Sequence, residues 1–115
     1  MLISIVTFGM SADGDNTSSI NLEHTHQGGT RTPDSNDEPA AYYNSDTQQV
    51  IIIGEGSVSY YDVEIVTQST MATVVSTVVN GYYGIIDVSS VPSGDYTIVI
   101  TSPNNNVYEG DFSIQ

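Results

Sequence analysis

The chain has 115 residues and a mass of 12.3 kDa, the size of one domain and too small for two independent cores. Fourteen Asp and Glu stand against a single basic residue, Arg31, giving a formal net charge of -13 and a pI near 4.1. That balance excludes most nucleic-acid binding, which needs Lys and Arg to neutralise phosphates, and disfavours acidic membrane surfaces. The absence of cysteine excludes disulfides, thiolate metal sites, a cysteine nucleophile and a lipidated N-terminal cysteine.

The first ten residues, Met1 to Met10, form an apolar run as long as the h-region of a secretory signal and too short to span a bilayer. Ser11-Ala12 supplies small residues ahead of Asp13, although Met10 is large for its place and no basic residue precedes the run. The expectation is that residues 1–12 are a signal-peptide remnant, and that the mature chain is secreted, periplasmic or on the cell surface without membrane insertion. The alternation of Leu2, Ser4, Val6 and Phe8 with Ile3, Ile5 and Thr7 also fits a strand. Residues 13–40 turn to Asp, Asn, Ser, Thr, Gly and Gln, with Ile20 and Leu22 the only large aliphatics. So polar a segment buries too little apolar surface to offset its own ordering, so it reads as a flexible, extended lead-in.

From residue 41 the character changes. Val, Ile, Thr, Tyr and Phe together fill 37 of the 75 positions from 41 to 115, and Leu is absent. Such side chains pack well on a pleated surface and lose χ1 freedom in a helix, so the domain at 41–115 is all-β. Turn residues divide it into about seven strands: 41–43, 48–53, 58–67, 72–79, 82–88, 95–101 and 107–114. In the third, Tyr61, Val63 and Ile65 share one face and Tyr60, Asp62 and Glu64 the other, which must meet water. Asn80-Gly81 reads as a type I′ hairpin between the fourth and fifth. In the sixth, Tyr96, Ile98 and Ile100 point inward, with Val99 a flaw in the outer row; the seventh sets Tyr108, Phe112 and Ile114 against Glu109, Asp111 and Ser113. Strands at this spacing form an antiparallel sandwich of two sheets.

The stretch from Ile86 to Ile98, with Pro92-Ser93-Gly94-Asp95-Tyr96 at its centre, followed by Val107-Tyr108-Glu109-Gly110-Asp111-Phe112-Ser113-Ile114, resembles the secreted immunoglobulin-like domain-of-unknown-function family DUF3244 of gut Bacteroidetes. The resemblance spans residues 40 to 115. Pro92 sets φ, Gly94 relieves the turn, and Tyr96 can lay its ring on the core while its hydroxyl reaches back to the backbone, much like a tyrosine corner. It implies an immunoglobulin-like sandwich and export, and no activity, cofactor or functional residue. Similar turns occur in fibronectin type III domains and in C-terminal sorting modules of a secretion system. Against the sorting module, the first strand lacks a Pro-Asn-Pro start and Ser113-Ile114-Gln115 has no basic residue nearby.

Few residues could carry chemistry. His24-Thr25-His26 alternate and could share a metal, but without a clear third ligand they read as solvated side chains. Asp13-Gly14-Asp15-Asn16 has the oxygen-rich look of a calcium loop without its later glycine and glutamate, so calcium is the only cofactor kept open and no metal site is assigned. Strand-face acids with no cleft do not make a hydrolase, so no catalytic residue and no enzyme is expected. Three pairs, Tyr42-Tyr43, Tyr60-Tyr61 and Tyr82-Tyr83, should each bury one ring and present the other. Tyr60 shares its row with Asp62 and Glu64, and these three residues form the candidate binding surface for a protein or glycan partner. Exposed edges add dimerisation as a further interaction. The expectation is therefore an exported, non-catalytic immunoglobulin-like module of undefined molecular function; the alternatives are a calcium-dependent structural or adhesion module and a sorting-type module.

Overall fold

The computed structural model describes residues 16–25, 38–56 and 58–114. Among them are nine strands and no helix: β1 (Thr17–Ile20), β2 (Glu23–Thr25), β3 (Ala40–Asn44), β4 (Gln49–Ile53), β5 (Tyr60–Thr67), β6 (Thr73–Asn80), β7 (Tyr83–Asp87), β8 (Gly94–Thr101) and β9 (Val107–Ile114). Two antiparallel sheets, ordered β1-β3-β4-β7 and β2-β9-β8-β5-β6, face each other as a sandwich.

Period-two alternation fills the space between them. Tyr61, Val63 and Ile65 of β5 and Ile98 and Ile100 of β8 are fully buried, and Val50 and Ile52 of β4 meet them from the other sheet. Every strand read from the sequence between 41 and 114 is present, with ends displaced by no more than two residues. The first hairpin turns where Asn44 Oδ1 accepts the N–H groups of Asp46 (2.9 Å) and Thr47 (3.1 Å).

Two expectations are corrected. The lead-in at 13–40 is not simply flexible: β1 pairs with β3 over Thr17 to Ile20, and β2 pairs with β9 over Glu23 to Thr25, so this segment gives a terminal strand to each sheet. Backbone pairing needs no apolar side chains, and Ile20 supplies the anchor, 5% exposed in the common core. The signal-peptide reading of residues 1–12 lies outside the described residues.

The Asn80-Gly81 hairpin is also absent. β6 pairs with β5 and β7 with β4, so residues 81–82 carry the chain from one sheet to the other. Neither Asn80 nor Gly81 has a positive φ. Asn80 Oδ1 instead accepts the N–H groups of Tyr82 (2.8 Å) and Tyr83 (2.9 Å). Gly81 is demanded by space: a Cβ on it would run into the Val58 carbonyl, and one on Gly54 into the Gly81 carbonyl.

If β1 is integral to the fold, Ile20→Ala removes a buried side chain and should cost about 2–4 kcal/mol in chemical denaturation. A change within about 0.5 kcal/mol, the range of ordinary surface substitutions, would return the segment to a loose lead-in.

Candidate functional site

The outer face of the five-stranded sheet holds the residues singled out from the sequence. Because Tyr61, Val63 and Ile65 point inward, Tyr60, Asp62 and Glu64 are exposed on the opposite face of β5. Asp62 lies between Val78 of β6 and Thr101 of β8, and Glu64 between Ser76 and Val99. These six side chains line a shallow depression of about 410 Å³. Val99, which breaks the polar pattern of β8, thereby joins Val78 in this lining. Tyr60 stands one row further along β5, opposite Asn80, and is 39% exposed. The surface combines carboxylates about 7 Å apart along the strand, hydroxyls that donate and accept, and two aliphatic patches.

The tyrosine pairs divide as expected twice. Tyr61 and Tyr43 are buried, while Tyr60 is exposed and Tyr42 half-buried. The third pair does not: Tyr82 is 70% and Tyr83 51% exposed, because Tyr82 sits in the crossing between the sheets and escapes strand alternation. Tyr83 belongs to a second outer surface that sequence reading missed. On the four-stranded sheet, Tyr42, Ile51 and Ile85 lie in one cross-strand row and Ala40, Ile53 and Tyr83 in the next. Ile53 and Ile85 are 42% and 48% exposed. The run Ile51-Ile52-Ile53 carries the signal, since alternation must turn Ile51 and Ile53 away from the core once Ile52 enters it.

A second cleft of about 380 Å³ opens where β1 approaches β9, with Ser18, Ser45, Asp111, Tyr43 and Phe112 among its walls. The Tyr43 hydroxyl is buried without a hydrogen-bond partner, and its ring lies 5.8 Å from that of Phe112. Neither residue can be assigned to a cleft from sequence, because β1, with one apolar residue in four, carries no alternation that marks it as the facing wall.

His24 is not the solvated side chain expected. It is half-buried on β2, its ring stacked 4.8 Å from that of Tyr108 and its Nε2 3.2 Å from Asn106 Oδ1, so it fastens β2 to β9. His26 and Asp13 to Asp15 lie outside the described residues. Among the described residues no three His, Asp or Glu side chains gather into a group that could hold a metal ion.

The turn into β8 is held as the sequence implied. The Tyr96 hydroxyl donates to the Pro92 carbonyl at 2.6 Å while its ring is buried beside Phe112, and Gly94 opens the strand directly over that ring. Just before this turn the backbone N–H of Ser89, aided by its hydroxyl, donates to the exposed Asp87 carboxylate and holds it below the usual carboxylate range.

Two facing antiparallel sheets, with a tyrosine tying one strand to the turn that precedes it, define an immunoglobulin-like β-sandwich. The fold is similar to the crystal structure of a DUF3244 family protein with an immunoglobulin-like β-sandwich fold from Bacteroides vulgatus, with a TM-score of 0.69 and 12% sequence identity over 86% of this chain and 99% of that chain. That likeness shows the fold, and the shared architecture is the one implied by the resemblance at residues 40 to 115. No family model matches the sequence, and no curated protein matches it.

Tyr96→Phe keeps the ring and removes the bond to Pro92, so it should lower stability by about 1 kcal/mol; an unchanged denaturation midpoint would deny the hydroxyl its role. The depressed Asp87 carboxyl contributes stability above its unfolded value of about 3.9, and that contribution is lost as pH falls through the lower folded value. Carboxyl carbon NMR should place the Asp87 midpoint below about 3.9, and a midpoint at or above it would count against the Ser89 contact.

Proposed function

We propose that this protein is a non-catalytic contact module of the periplasm or cell surface, engaging its partner through the outer face of the five-stranded sheet. The observation that supports this reading is the convergence of Asp62 and Glu64 with Ser76, Val78, Val99 and Thr101 around one open depression, with Tyr60 beside it. Carboxylates and hydroxyls can bond the hydroxyl groups of a sugar, and the two valines can meet the C–H face of its ring. Tyr60 offers a rigid, amphipathic ring at low entropic cost. A glycan fits this lining best; a protein with a complementary polar surface is the other member of the class. Export is supported by the apolar start of the chain followed by Ser11-Ala12.

A glycan array and a pull-down from envelope extract test the reading together. Binding should fall by about tenfold in Tyr60→Ala and in the Asp62→Asn, Glu64→Gln double variant, and stay unchanged in Ile85→Ala on the opposite sheet. No ligand in either format, or a ligand whose affinity ignores Tyr60, Asp62 and Glu64, would remove this face from consideration.

A further inference from the structure

From Ile65 to Ile86 the sequence contains no Asp, Glu, Lys, Arg or His, in a chain of net charge -13. That uncharged run supplies β6 and all of β7 except its last residue, Asp87; these are the terminal strands of the two sheets on one flank of the sandwich. β6 has eight residues and β7 five. One hydrogen bond fixes which way β6 turns its backbone. The Gly81 N–H donates to the Ser59 carbonyl at 3.2 Å, so Tyr61–Val79, Val63–Thr77 and Ile65–Val75 are the hydrogen-bonded pairs of the β5–β6 ladder. The residues between them, Ser76 and Val78, point their N–H and C=O groups away from β5, and no strand lies beyond them among the described residues.

Edges are ordinarily kept from pairing by charge, proline, short length or a bulge. β6 has neither a charged residue nor a proline, and Val74 and Val78 are 38% and 60% exposed. Among the described residues its one protective feature is the register shift that leaves Val74 unpaired, and this lies at the far end from Val78. β7 is the poorer edge: its Tyr83 N–H is already taken by Asn80 Oδ1, and it ends in Asp87.

We infer that β6 pairs with β6 of a second copy of this chain, antiparallel about a two-fold axis at Thr77. Ser76 of one copy then faces Val78 of the other, their outward N–H and C=O groups are mutually satisfied, and the two larger sheets become one continuous sheet. The edge is self-complementary, since Ser76 and Val78 lie symmetrically about Thr77, and the placement of charge leaves it open to a second copy. Two such acidic chains repel each other, whereas β6 itself carries no charge and the first described carboxylates inward from it in the same sheet, Asp62 and Glu64, lie one strand further in. They face their counterparts across three strand spacings, about 14 Å, which exceeds the screening length of about 8 Å at physiological ionic strength. The inference does not rest on the glycan reading, although it would set two copies of that face side by side.

Sedimentation velocity on the full chain, over a wide dilution series and from about 0.01 to about 1 M sodium chloride, tests it. The expected result is a monomer–dimer equilibrium that tightens with salt, accompanied by rising amide-exchange protection at Ser76 and Val78 as concentration increases. Ser76→Pro removes the outward N–H without taking a bond from the β5–β6 ladder and should weaken association by about tenfold or more; Val78→Pro asks the same question if the first variant does not fold. The exchange measurement on the unaltered chain needs neither variant. A monomer throughout, association that weakens with salt, or protection growing at Ile85 in place of Ser76 and Val78 overturns the inference. Protection of the β6 amides only when an extended peptide or another protein is added assigns the edge to a foreign strand and equally overturns pairing between copies.

Discussion

Complete burial of one side of β5 and β8 is the constraint on which the rest of this molecule depends. Tyr61, Val63, Ile65, Ile98 and Ile100 are withdrawn from water at the centre of the larger sheet. A pleated strand gives its other residues no choice but the opposite face, so a one-residue slip would put Asp62 and Glu64 into the core. Burying two unpaired carboxylates costs more than any regained contact could return. The same register therefore makes the core and displays the acids. The side chains of the two faces can be exchanged separately, but a shift in register alters both at once.

How much could be read in advance follows from where side chains, rather than backbone, decide the structure. β5, β8 and β9 announce themselves because each alternates over most of its length and each lies against the core. β1 and β2 do not, because a terminal strand can be held by its ladder and one anchoring side chain; Ile20 anchors β1 among Ser and Asn neighbours, and His24 fastens β2. The candidate face was legible at Tyr60, Asp62 and Glu64 but not at Ser76 and Thr101, which join it only through cross-strand register. Register depends on pairing between distant segments, for which a local pattern has no signal.

Asn80-Gly81 shows the same limit from the other side. The dipeptide favours a tight hairpin because both residues tolerate positive φ. Here the amide of Asn80 serves as an acceptor for two N–H groups and Gly81 makes room for a carbonyl, so the same residues route the chain between sheets. Local preference was real but left two outcomes open. The long-range pairings of β6 with β5 and of β7 with β4 chose between them. A consequence is the exposure of both Tyr82 and Tyr83, since the crossing interrupts the alternation that would have hidden one of them.

The distribution of charge gives the two proposed contacts opposite physical characters. The outer face of β5 presents carboxylates to solvent, so a ligand there is held by hydrogen bonds to charged acceptors, which are stronger than neutral ones and which added salt weakens where the ligand itself is charged. The β6 flank presents neutral backbone groups and valines, and its association is opposed by the charge of the whole chain, so salt relieves the opposition without touching the contact. An acidic chain of this size cannot approach its own copy everywhere. A run of 22 residues without a charge, folded mostly onto one flank, gives a direction in which that approach meets little opposing charge.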